Sequence, residues 1–150
     1  MKNINFIAKS ALIATFYVSV TLLLAPISFG VFQLRISEAL CLLAFFYPEA
    51  IIGLFLGCLI SNIFAGLGIL DIIFGSLATL VSGYLSYKTD NIIIASSYIT
   101  IINALCVGFL LAYLADLPIW LGFLSIFTSE AIATFLIGIP FSKFLHLAKH

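Results

Sequence analysis

The sequence predicts an all-α integral membrane protein: one domain, residues 1–150, folded as a compact bundle of six transmembrane helices with both termini cytoplasmic. Three observations predict it. Hydrophobic residues make up 64% of the chain and charged residues only 8%, too little polar surface to coat a water-soluble globule. Mean hydropathy is +1.31, and the apolar runs follow one another with short polar breaks. A span needs about 20 apolar residues to cross roughly 30 Å of hydrocarbon, so 150 residues hold about six spans and no soluble domain.

Each span follows from its punctuation. The first covers residues 6–25, is closed by Pro26 and leads into a loop from Ile27 to Gln33. This stretch reads as a span rather than a cleaved leader, because its apolar run is long and carries Ser10, Thr15, Tyr17, Ser19 and Thr21. The second, 34–47, stops at Tyr47-Pro48. The third, 49–65, ends at a Gly66-Leu67-Gly68 turn, and the fourth, 69–87, at the polar break Lys88-Thr89-Asp90-Asn91. The fifth and sixth, 92–115 and 118–145, are separated by Asp116-Leu117-Pro118. All read as helix, because a backbone in lipid must satisfy its hydrogen bonds within the segment.

Span two is short, and the basic residues decide whether it crosses. If it does, Lys2, Lys9, Lys88, Lys143 and Lys149 fall on one side and Arg35 alone on the other. The positive-inside rule makes the lysine side the cytoplasm. The loops near 26–34, 66–70 and 115–118 then lie outside.

This topology gathers the polar groups in the outer half. Arg35 and Glu38 lie one turn apart at the mouth of span two. Asn62 and Asp71 fall near the outer ends of spans three and four, Asn103 midway along span five, and Glu130 about a dozen residues into span six. An ionisable group in hydrocarbon costs about 2.5–3.5 kcal/mol on insertion scales, so it faces the bundle interior or a wet cavity and finds a partner. Arg35, Glu38, Asn62, Asp71, Asn103 and Glu130 are therefore the candidate substrate-binding residues. A structural reading competes for some of them: Asp71 suits a helix N-terminus, and Asn62 and Asn103 suit interhelical hydrogen bonds. Phe32, Phe45, Tyr113 and Trp120 are candidates to stack a planar ligand. Glu49 and Asp116, at span ends, are expected to be solvated. His146 and His150 lie in a polar tail and suggest no metal site.

Small residues make a second pattern. Gly53, Gly57, Ser61 and Ala65 recur every fourth position, as do Gly75, Thr79 and Gly83, which lets helices approach closely. Ser10, Ala11, Ala14 and Thr15 form a similar stripe on span one, suited either to internal packing or to docking another membrane subunit. Cys41, Cys58 and Cys106 sit in apolar runs without CxxC spacing and read as packing residues. No HExxH, P-loop, GxSxG or GxGxxG motif occurs, so neither an enzyme nor a resident cofactor or metal is expected. Zero net charge without a basic run argues against a nucleic-acid partner.

The segments "FQLRISEALCLLAFFYPEAIIGLFLGCLISNIF" and "GLGILDIIFGSLATLVSG" resemble the QueT family, the substrate-binding S components of energy-coupling factor (ECF) transporters for queuosine precursors. The similarity runs from about Ala11 to Glu130, and departs from the family pattern at Ala44, where proline is common, and at Ser61, where alanine is. The resemblance implies an ECF S-component-like bundle in the plasma membrane of a prokaryote. It implies a 7-deazapurine ligand such as preQ1 taken from outside and delivered by toppling. The implied partners are a transmembrane coupling (T) subunit, docked on the Ser10, Ala11, Ala14, Thr15 face, and two cytoplasmic ATPases that use ATP and Mg. The loop between spans one and two is expected to cover the pocket.

Overall fold

Long apolar stretches have little alternative to helix in lipid, and the computed structural model is helical throughout its main elements; it describes residues 2–29 and 33–147. Phe32, Lys149 and His150 lie outside the described residues. Helix α1 is Lys2–Leu23, followed by a single helical turn Ala25–Ser28 that Pro26 opens. Helix α2 is Ile36–Phe46. Helices α3, α4 and α5 are Pro48–Ala65, Ile69–Lys88 and Ile92–Leu114. Helix α6, residues 119–147, consists of Ile119–Ala131, a π-helical stretch Ile132–Gly138, and Ile139–Leu147. Five of these six are long and apolar enough to cross a membrane; α2 is the exception.

The local chemistry explains the boundaries. Pro48 sits in the first turn of α3, where its missing N–H costs nothing. Gly66 and Gly68 take φ of +68° and +115°, backbone that side chains rarely adopt, and so turn α3 back into α4. Asn91 caps α5 by accepting the Ile93 N–H.

The second span differs from the helix expected over 34–47. It begins at Ile36, and its first seven residues, Ile36–Leu42, are 3₁₀ rather than α. A 3₁₀ turn rises about 2.0 Å per residue against 1.5 Å, so eleven residues stretch to roughly 20 Å. Irregular backbone at membrane depth is tolerated only when protein covers it, and Ser37 through Leu42 are all buried. The segment runs the length of the bundle beside α6: the Gln33 carbonyl accepts from Ser129 at one end, and Phe46 stacks on His146, centroids 4.6 Å apart, at the other.

Neighbouring helices α3–α4, α4–α5 and α5–α6 pack in sequence, α1 packs along α3, and α2 touches all five others. Gly53 and Gly57 permit the α1 contact: a Cβ on Gly57 would lie 2.9 Å from that of Tyr17. One end of the bundle, called the mouth here, carries residues 24–29 and 33–35 and the 66–68 and 115–118 connections. The opposite end carries the Tyr47–Pro48 corner and the 89–91 loop.

The packing sorts the α1 stripe and corrects the expectation for Glu49. Ser10 and Ala14 are buried, Ser10 donating to the Glu49 carbonyl at 2.8 Å, whereas Ala11 and Thr15 face outward. The four residues span more than 100° of helix, so they divide between packing and surface. Glu49 is not solvated: it pairs with Lys9 at 2.8 Å with its side chain 13% exposed.

Candidate binding site

Because α2 sits among all the other helices, the polar residues it carries are forced inward. Arg35, Glu38, Asn62, Asp71, Asn103 and Glu130 are each no more than 5% exposed, which for three carboxylates and a guanidinium demands partners. Arg35, just before the 3₁₀ helix, reaches across to α3: its Nη2 donates to Asn62 Oδ1. Asn62 Nδ2 in turn donates to the Asp71 carbonyl, 3.1 Å, in the first turn of α4. Gly75 makes room for that amide, since a Cβ there would lie 2.7 Å from it. The Asp71 carboxylate is within electrostatic reach of Arg35. Arg35 also stands over the Phe29 ring, 5.9 Å from its centroid.

Glu38 lies one turn along. Its Oε1 accepts from the Tyr17 hydroxyl and sits 3.9 Å from Arg35 Nε; its Oε2 accepts from the Cys41 thiol at 2.9 Å. Both oxygens thus accept a hydrogen bond. Glu130 approaches from α6, within electrostatic reach of Glu38 and Arg35, with Asn103 of α5 alongside. Here satisfaction fails. Glu130 Oε2, Arg35 Nε and both polar atoms of Asn103 are buried without a hydrogen bond of ordinary geometry, although Asn103 lies close to Glu130. An unpaired buried polar atom costs about 1–3 kcal/mol, and several in one cluster mark an arrangement with open valences.

A hollow of about 180 Å³ opens beside this cluster, lined by Phe29, Gln33, Asp71 and α5 residues such as Val107 and Leu111. It is smaller than the ~300–1,000 Å³ of small-molecule sites. Three larger hollows lie elsewhere: two of about 370 and 380 Å³ on the flank between α1 and α6, lined mainly by Leu12, Ile13, Leu43 and Leu145 with Lys9 and Glu49 at the edge of one, and a third of about 350 Å³ at the far end, beside Phe46, Asp90, Lys143 and His146. None of the three adjoins the Arg35, Glu38 and Glu130 cluster, whereas Asp71 of that cluster lines the smaller hollow.

All six residues named from sequence therefore meet in one cluster. The aromatic candidates do not. Trp120 and Tyr113 are 66% and 77% exposed on the bundle surface, and Phe45 packs edge-on against Phe46 at the far end. Phe29 is the aromatic that reaches Arg35. Tyr17, Cys41 and Cys58 join the cluster unanticipated: the Cys58 sulfur lies 3.6 Å from Asn62 Nδ2. The two cysteines pack, as expected, but against polar groups. A burial stripe on α1 would have revealed Tyr17 only if the helix rotation were known. Among the described residues no group of three or more His, Cys, Asp or Glu is placed to hold a metal ion.

Five long apolar helices around a sixth short one, with buried ionisable groups gathered beside a hollow at one end, define a multi-pass membrane protein of the solute-handling kind. The chain belongs to the QueT transporter family, whose pattern matches residues 7–147. It is similar to a protein of Lactococcus lactis subsp. cremoris named queuosine precursor transporter QueT, 43% identical over 77 residues. That match covers 50% of this chain and 45% of the relative, so the chain aligns with about half of the relative's length. No solved structure matches the chain.

Proposed function

We propose that this protein is the substrate-binding S component of an ECF-type importer that takes up a queuosine precursor, a 7-deazaguanine such as preQ1. Family membership supports transport, and the relative's name supports the solute class. The single observation that carries the reading is the set of open valences on Glu130, Asn103 and Arg35 beside the mouth hollow.

The ligand chemistry fits those valences. A guanine-type edge presents adjacent N–H donors that one carboxylate accepts together, and an O6 that takes a donor. Glu38 is already engaged by Tyr17 and Cys41, whereas Glu130 Oε2 has no partner, so Glu130 is the acceptor, with Asn103 or Arg35 donating to O6. Asp71, lining the hollow, meets the ammonium of an aminomethyl substituent. Phe29 supplies an apolar face.

Delivery follows the family type. Lys9, Lys88 and Lys143 at the end away from the mouth support, by the positive-inside rule, a cytoplasmic orientation for that end, with both termini, in a prokaryotic plasma membrane. The exposed Ala11 and Thr15 dock a T subunit, the loaded protein topples, and two partner ATPases hydrolyse Mg-ATP.

Binding of preQ1 to the detergent-purified protein tests the site. Glu130→Gln is expected to weaken it about tenfold or more, and Glu38→Gln to weaken it as well; unchanged affinity in both removes the carboxylate reading. Vesicles holding this chain alone are expected to be inactive until ATP and the coupling module are added. Uptake by the chain alone would mean a stand-alone carrier, and no purine-like binding at all a structural subunit.

A further inference from the structure

Helix α6 buries Gly122, Ile126, Glu130, Thr134, Gly138 and Ser142, a ladder at strict four-residue spacing. At 3.6 residues per turn, each such step overshoots by about 40°, so five steps drift by roughly 200°. A plain α-helix would carry the two ends of the ladder to opposite faces, yet all six are buried.

The π stretch Ile132–Gly138 takes back about half of this drift, between the mouth half of the helix and its far half. A π turn takes in one more residue than an α turn, and one residue is about 100° of α-helical rotation. The Ile139 N–H bonds to the Thr134 carbonyl five residues back. Thr134 Oγ1 donates to the Glu130 carbonyl at 2.8 Å; its one proton is thereby used, so Thr100 Oγ1, 3.0 Å away on α5, donates to it. On the other side Gly138 is clamped against α2, where a Cβ would lie 3.0 Å from the Ala39 carbonyl and 2.9 Å from Leu42 Cδ1.

We propose that the π stretch, held by Thr134 and Gly138, is the positioning element that sets the rotation of Glu130 into the polar cluster. It takes up the extra residue that would otherwise turn the mouth half of α6 away from Arg35 and Glu38. The proposal rests on the reading of Glu130 as a ligand-binding group, but its geometry has a readout of its own.

A π turn and an α-helix respond differently to single-residue changes in length. Deleting Leu136, which is 70% exposed, lets the π turn close to α while both halves keep their orientation. Inserting one alanine after Leu136 adds a further ~100°. In a plain α-helix both changes rotate Glu130 equally. The deletion is therefore expected to keep preQ1 affinity within about threefold and to leave the thermal midpoint near that of the parent. The insertion is expected to lose binding and lower the midpoint. Equal loss in both variants, or equal tolerance, overturns the proposal. Deleting Ile132, 42% exposed, is a second route to the same closure, and failure of both deletions to fold also overturns it. Should the parent bind no 7-deazaguanine, the functional reading fails, and the midpoints alone still decide the register.

Discussion

Two ion pairs in this molecule reverse the usual link between closeness and importance. Lys9 and Glu49 touch at 2.8 Å, but Lys9 is 53% exposed. Arg35 Nε and Glu38 Oε1 stand 3.9 Å apart, with side chains 6% and 3% exposed. Water reaches the lysine of the first pair and screens it whatever its geometry. The second is sealed among apolar helices, where removing either charge strands the other. Burial, not contact distance, sets what each pair is worth, and the buried pair is the one surrounded by unpaired polar atoms.

The sharpest test of that contrast removes the cation of the buried pair. Arg35→Met keeps the volume and apolar stem but leaves Glu38, Glu130 and Asp71 without a guanidinium. Breaking a buried pair costs about 3–5 kcal/mol, which for a chain of this length lowers the thermal midpoint by roughly 10 °C. Thermal unfolding of the detergent-purified protein measures it; a drop no larger than that of Lys9→Met would erase the distinction drawn above.

A smaller effect comes from Tyr17. Its hydroxyl donates to Glu38, and a hydrogen bond to a charged group is worth about 1.5–3 kcal/mol. Tyr17→Phe removes only the donor, so stability is expected to fall by that amount. Combined with Glu38→Gln, the loss is expected to be less than the sum, since the two act on one bond. Strict additivity in such a cycle would mean that the hydroxyl does not serve Glu38.

These residues also mark where the sequence was informative. Arg35, Glu38 and Glu130 were legible because an ionisable group in hydrocarbon needs a partner, and topology alone brought them to a common depth. Helix rotation was not legible. Depth placed Trp120 and Tyr113 near the site, but both face outward; the α1 stripe divided, Ser10 inward and Ala11 outward; Tyr17 gave no signal distinct from its neighbours. The 3₁₀ form of α2 and the π turn of α6 were hidden for a related reason. Both depend on how far one helix must stretch or turn to meet another, which is set by packing and not by local propensity.

The smallest expected effect belongs to the closest contact. Lys9→Met leaves Glu49 beside the bulk solvent end, where an exposed pair contributes from nothing to about 1 kcal/mol. The thermal midpoint is expected to move by no more than roughly 4 °C, and preQ1 affinity not at all, because Lys9 and the mouth hollow lie at opposite ends of the bundle. The difference from the parent should also shrink between low salt and 0.15 M, where the Debye length falls to about 8 Å. The Arg35→Met difference should not shrink, since no counterion reaches that pair. A Lys9 effect that is large and insensitive to salt would show that the rim pair is as shielded as the buried one.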